Sequence, residues 1–119
     1  MTDEVAVGPL SFVQRITLLG IASSVVEGED PVDSRAVKER CGTHIDEVDA
    51  AVVSDPAERD MMRALGALGG KPYVVEEQPE QSPTGKGRPM YSLSADVEQV
   101  LDALAADERL EPAIEAVRE

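Results

Sequence analysis

Apolar residues recur at helical spacing in five stretches of this chain, and two short strand-like runs stand between the third and the fourth. From Leu10 to Glu27, Phe12, Val13, Ile16, Leu19, Val25 and Val26, with Leu18 and Ile21 between them, cover most of a helix circumference, so this helix is expected to be buried on most sides. Residues 1–9, ending in Gly8-Pro9, read as a flexible arm ahead of one domain over 10–119. The run Gly28-Glu-Asp-Pro-Val-Asp33 breaks the first helix. Asp33 or Ser34 can then cap a second helix through Cys41, with Ala36, Val37 and Cys41 turned to the core. His44, Ile45, Val48, Ala51 and Val52 keep helical spacing beyond it, which allows a restart after Gly42.

Asp55-Pro56-Ala57-Glu58 is a helix start, with an acid at the cap, proline at the first helical position and Glu three residues after the cap. Gly69-Gly70 should end that helix. At 100° per residue from Met61, Leu65 and Leu68 lie within about 40° and define a core stripe. Arg59, Arg63, Gly66 and Ala67 lie between about 140° and 240°, an outward face with cations and small neighbours. Tyr73–Glu77 and Pro89–Leu93 then read as hairpin strands around the loop Ser82-Pro-Thr-Gly-Lys-Gly-Arg-Pro89. A helix capped by Ser94 follows with Val97, Val100, Leu101 and Leu104. After a break near Asp107, Leu110, Ile114 and Val117 repeat the stripe.

Helix, hairpin with a cationic tip, then helix is the order of a winged helix-turn-helix, a mainly α fold with a β-hairpin. On this expectation residues 55–69 form the recognition helix and 78–88 the wing. Lys86 and Arg88 in the wing would hold phosphates, while Arg59 and Arg63 would reach base edges or phosphates. Lys71, Arg35 and Lys38 complete the candidate DNA-binding set. A basic stripe on a helix is commonly only solvated surface. The added weight here comes from Gly66 and Ala67, which let a groove wall approach, and from the second cationic element that follows.

Charge pulls the other way. The chain carries 24 Asp plus Glu against 11 Lys plus Arg, a net charge of −13, which opposes nucleic-acid binding if spread evenly. It is uneven: residues 31–94 hold eight basic and eleven acidic groups, or −3, while the two flanks hold three and thirteen, or −10. Three lysines against eight arginines, with so many carboxylates, resemble the bias of halophilic archaeal cytoplasmic proteins. In salt near 1 M the screening length falls to about 3 Å, so DNA recognition there depends on close contacts rather than on net charge.

The remaining chemistry is sparse. Cys41 and His44 sit three apart with no second pair, so neither a zinc site nor a nucleophile–histidine dyad is supported. Gly69-Gly-Lys71 is followed by Pro72 where a phosphate-binding loop needs a hydroxyl. A single cysteine fits a reducing compartment, and no leader or 18-residue apolar run opens or crosses the sequence. These features point to a non-enzymatic cytoplasmic protein without cofactor, metal, membrane or small-molecule substrate. Low aromatic content, 3%, leaves the core to aliphatic residues.

Four pieces in order carry a family resemblance: Leu10-Ser-Phe-Val-Gln-Arg-Ile-Thr-Leu-Leu-Gly-Ile-Ala22, Arg63-Ala-Leu-Gly-Ala-Leu-Gly69, the loop Ser82 to Pro89, and Val97-Glu-Gln-Val-Leu-Asp-Ala-Leu104 with Asp107-Glu-Arg-Leu110. From about Leu10 to Leu110 the chain resembles the C-terminal winged-helix domain of archaeal, here haloarchaeal, Orc-type origin-recognition initiators, without the ATPase module of that family. The resemblance implies duplex DNA as partner, with contacts from Arg59, Arg63, Lys86 and Arg88, and a role in DNA replication or transcription regulation. The competing expectation is a winged helix used for protein contact or for homodimerisation through the C-terminal helices, which the net charge favours.

Overall fold

The computed structural model describes residue 8 and residues 10–28, 32–47, 58–77 and 90–118. Its first helix, α1 (Phe12–Val26), starts at a reciprocal capping box: the Ser11 hydroxyl accepts from the Gln14 N–H at 3.2 Å, and the Ser11 N–H donates to Gln14 Oε1 at 2.8 Å. Every residue from Ile16 to Ser24 is buried, as expected of a helix apolar on most sides. Gly28 closes the helix at φ +84°, a conformation glycine adopts without steric cost. The central position of α1 follows from that burial, and α2, α3, α4, α5 and the sheet all pack against it.

After α1 the chain forms a two-residue strand, β1 (Val32–Asp33), where the sequence gives only a break. Asp33 Oδ1 accepts from the Ala36 N–H at 2.8 Å and so caps α2 (Ser34–Glu47), one of the two expected caps. This helix runs on through Gly42 instead of stopping at Cys41. Helices α1 and α2 cross closely at Gly20, where a Cβ would stand 3.1 Å from Cys41 Sγ and 3.2 Å from the Val37 carbonyl oxygen. The buried Cys41 thiol donates to the Ile16 carbonyl, and burial pushes its pKa up to about 12. It therefore stays a protonated core group.

Helix α3 (Glu58–Leu68) ends where Gly69, Gly70 and Lys71 donate back to Leu65, Ala67 and Leu68. Strands β2 (Val74–Glu77) and β3 (Met90–Leu93) pair antiparallel in the register Val74 to Leu93 and Glu77 to Met90. β1 adds to the other edge of β3, with Val32 opposite Tyr91, giving the order β1-β3-β2. The result is a mostly helical α+β fold with a small three-stranded antiparallel sheet.

α4 (Val97–Leu104) is capped by Asp96, whose carboxylate accepts from the Glu98 N–H at 3.1 Å, and not by Ser94 as expected. The reason is tertiary: Ser94 Oγ donates to the Pro72 carbonyl at 2.6 Å, tying the end of β3 to the turn before β2. A 3-10 turn (Glu108–Leu110) and α5 (Glu111–Arg118) follow the break at Asp107. Val100, Leu101, Leu104, Leu110, Ala113 and Ile114 all enter the same core as α1 and α3, so the C-terminal apolar stripe is filled from within the chain.

The 3-10 turn is also held electrostatically. Asp107, its side chain 5% exposed, accepts from Arg109 at 2.7 Å and from Arg15 of α1 at 2.8 Å, while Arg15 also donates to the Gly8 carbonyl at 3.1 Å. Arg109 lies over the Phe12 ring, 4.6 Å from its centroid. The Arg109 hydrogen bond, then that of Arg15, hold the Asp107 carboxyl far below the usual carboxylate range against the opposing effect of burial.

Candidate nucleic-acid interface

Helix α3 turns one stripe inward: Met61, Ala64, Leu65 and Leu68 are 8%, 3%, 1% and 0% exposed. Arg59, Arg63, Gly66 and Ala67 are all exposed, as the helical spacing requires. Arg59 and Arg63 stand one turn apart on this face, and Gly66 has no atom within 4 Å of where a Cβ would be. The outward surface is thus long and cationic in its first half and nearly bare backbone in its second.

The other arginines of the described residues are engaged with carboxylates. Arg15 and Arg109 hold Asp107, Arg35 lies 3.8 Å from Glu39, Arg40 pairs with Glu27, and Arg118 reaches both Glu98 at 3.2 Å and Asp102 at 2.6 Å. Among the described residues Arg59 and Arg63 have no such partner. Both fall on one face of α3; Lys71, just past that helix, is likewise unmatched to a carboxylate among the described residues.

The rest of the candidate set divides. Lys71, just past α3, is half-buried; Arg35 is exposed on α2, and Lys38 on the same helix is half-buried. Lys86 and Arg88, with the whole expected wing tip, lie outside the described residues, as do Asp55, Pro56 and His44's side chain. Strands β2 and β3, which flank the expected wing in sequence, pair antiparallel and follow α3 in the chain.

Three side chains around this face escape the sequence arithmetic. Met62, 43% exposed, lies between the core stripe and the arginine face, about 60° around the helix from Arg59 and about 100° from Arg63. At 100° from Met61 it falls outside the core stripe, which is the signal that could have found it. Asp60 sits at 260°, just beyond the arc that holds the arginines, and shares a shallow open hollow of ≈180 Å³ with Arg63, Ala64, Ser11, Val13 and Gln14. Glu76 on β2 packs over Gly69, its Oε1 2.8 Å from the position a Cβ would take there, and its other oxygen accepts from Tyr91 at 3.1 Å. Burial, then the Glu76 charge, push the Tyr91 hydroxyl up to about 12, so it remains a donor. These two carboxylates border the cationic face without standing between Arg59 and Arg63 on the helix.

Among the described residues no group of three His, Cys, Asp or Glu could hold a metal, and no helix is long and apolar enough to cross a membrane. Comparison of the chain with protein-family models, with curated proteins and with solved structures finds no match.

Proposed function

We propose that this chain is a winged-helix module that binds duplex DNA through the outward face of α3, with the β2–β3 connection as its wing. The observation that carries the proposal is the pairing pattern of the arginines: those described on α1, α2, the 3-10 turn and α5 are matched to carboxylates, and the two on α3 are open to solvent. Exposed surface ion pairs are worth little, so a vacant arginine costs the folded chain almost nothing and is free to meet phosphate or guanine in a two-bonded fork. The element order α1-β1-α2-α3-β2-β3 with sheet order β1-β3-β2 supports the winged-helix reading, because an antiparallel strand pair follows α3 in the chain and β1 completes a three-stranded sheet with it.

Selection from a pool of random duplex fragments tests this. Wild-type protein should retain and enrich a subset, and Arg59→Ala with Arg63→Ala should enrich none while melting like wild type, since neither side chain enters the core. Retention of protein partners but no duplex at any salt would favour the protein-contact alternative instead.

A further inference from the structure

Resting on the duplex-binding reading of α3, we infer that Met62 is a specificity-determining residue that recognises the C5-methyl group of a thymine in the major groove. Among the described residues only Met62 and Val26 are large hydrophobics left exposed, at 43% and 44%. Val26 stands at the last position of α1, where a helix end meets solvent. Met62 stands in the middle of a helix whose inward stripe is already complete, so burial in the core does not explain it. A lone exposed methionine is unremarkable on a surface; this one precedes Arg63 in sequence and borders the arginine face, about 60° around the helix from Arg59 and about 100° from Arg63.

The shape of that face decides how it can approach DNA. Its long side chains, Arg59, Met62 and Arg63, all belong to the first half of α3, and each leans toward the helix N-terminus. The second half offers Gly66 and Ala67, both exposed, with open space above Gly66. A helix of this outline enters a major groove N-terminal end first, its bare half passing close to the groove wall. The major groove presents two chemistries that suit the three side chains: the O6 and N7 acceptors of guanine for a guanidinium, and the methyl of thymine for an apolar group. Methionine is flexible and polarizable enough to follow a methyl without a preformed pocket. The preferred site should therefore combine guanine with an adjacent thymine. Asp60, beside Arg63 at the far edge of the arginine face, disfavours a phosphate there and leaves the approach to the Met62–Gly66–Arg59 side.

The test uses the highest-affinity duplex recovered by selection, resynthesised with deoxyuridine in place of each thymine in turn, which removes one methyl and keeps every hydrogen bond. Wild-type protein should lose about fourfold in affinity at one position. Met62→Ala should bind the thymine duplex about fourfold more weakly and be indifferent to the same replacement, whereas Met62→Leu should keep the discrimination. Equal binding of thymine and deoxyuridine duplexes by wild type overturns the inference and leaves duplex binding intact, as does undiminished discrimination by Met62→Ala. Failure of wild type to retain any duplex overturns both. Thermal melting of Met62→Ala, expected unchanged because the side chain is exposed and alanine is a good helix former, excludes misfolding as the cause.

Discussion

Asp107 is the residue on which charge and fold meet most tightly. Its carboxylate joins Arg15 of α1 to Arg109 of the 3-10 turn, and these bonds hold its pKa below the unfolded value of about 3.9. A depressed pKa in the folded state contributes stability that is present in full above the unfolded value and is lost as pH falls through the folded one. Asp107→Asn should therefore cost on the order of 2 kcal/mol at neutral pH, after discounting for the solvent around both arginines. Chemical denaturation at successive pH values should show the gap between wild type and variant shrinking from pH 5 to pH 3; a gap constant with pH would show that the charge of Asp107 contributes nothing. The Arg15 partner is not legible in the sequence, whereas Arg109 stands only two residues from Asp107. Arg15 and Asp107 stand 92 residues apart, and nothing local marks them as a pair.

At the scale of elements, α3 separates space from strain. Gly66→Leu adds a side chain into open solvent and replaces a poor helix former, so it should leave melting unchanged or raise stability by up to about 1 kcal/mol. If the bare half of α3 must pass close to a groove wall, the same variant should bind duplex at least tenfold more weakly. Normal binding would show that this half of the helix stands clear of the DNA. Gly20→Ala is the opposite case, since its Cβ meets Cys41 and Val37 of α2, and should destabilise by roughly 1–3 kcal/mol, as read by denaturant titration. The stripe and stop of α3 could be read from residue spacing because a helix is a local object, and Gly69-Gly70 punctuates it. β1 could not, because two residues become a strand only by pairing with Tyr91 and Met90 far along the chain. The cap of α4 falls at Asp96 and not at Ser94 for a similar reason: both are good caps in isolation, and contact with Pro72 takes Ser94 away. The arginine positions on α3 were legible, whereas their vacancy was not, because ion pairing elsewhere is a tertiary fact.

For the molecule as a whole, the net charge of −13 sets the terms of both stability and binding. Self-repulsion among carboxylates weakens as the screening length falls from about 10 Å at 0.1 M salt to about 3 Å at 1 M. The melting temperature should accordingly rise over that range, and a flat or falling curve would show that the carboxylates are already neutralised by their partners. Long-range repulsion from DNA is screened by the same salt, so under the proposed function what would survive is contact chemistry on α3. Arg63 and Arg118 both carry one charge on an exposed side chain, but Arg118 is spent on Glu98 and Asp102 at the other end of the fold's sequence. Replacing either one by alanine changes net charge equally. The decisive measurement is an equilibrium titration of duplex DNA against wild type, Arg63→Ala and Arg118→Ala at high salt. Tenfold or greater weakening by Arg63→Ala, with little change from Arg118→Ala, is the outcome that duplex binding through α3 requires; equal effects of the two variants, or no duplex binding by wild type, would contradict it.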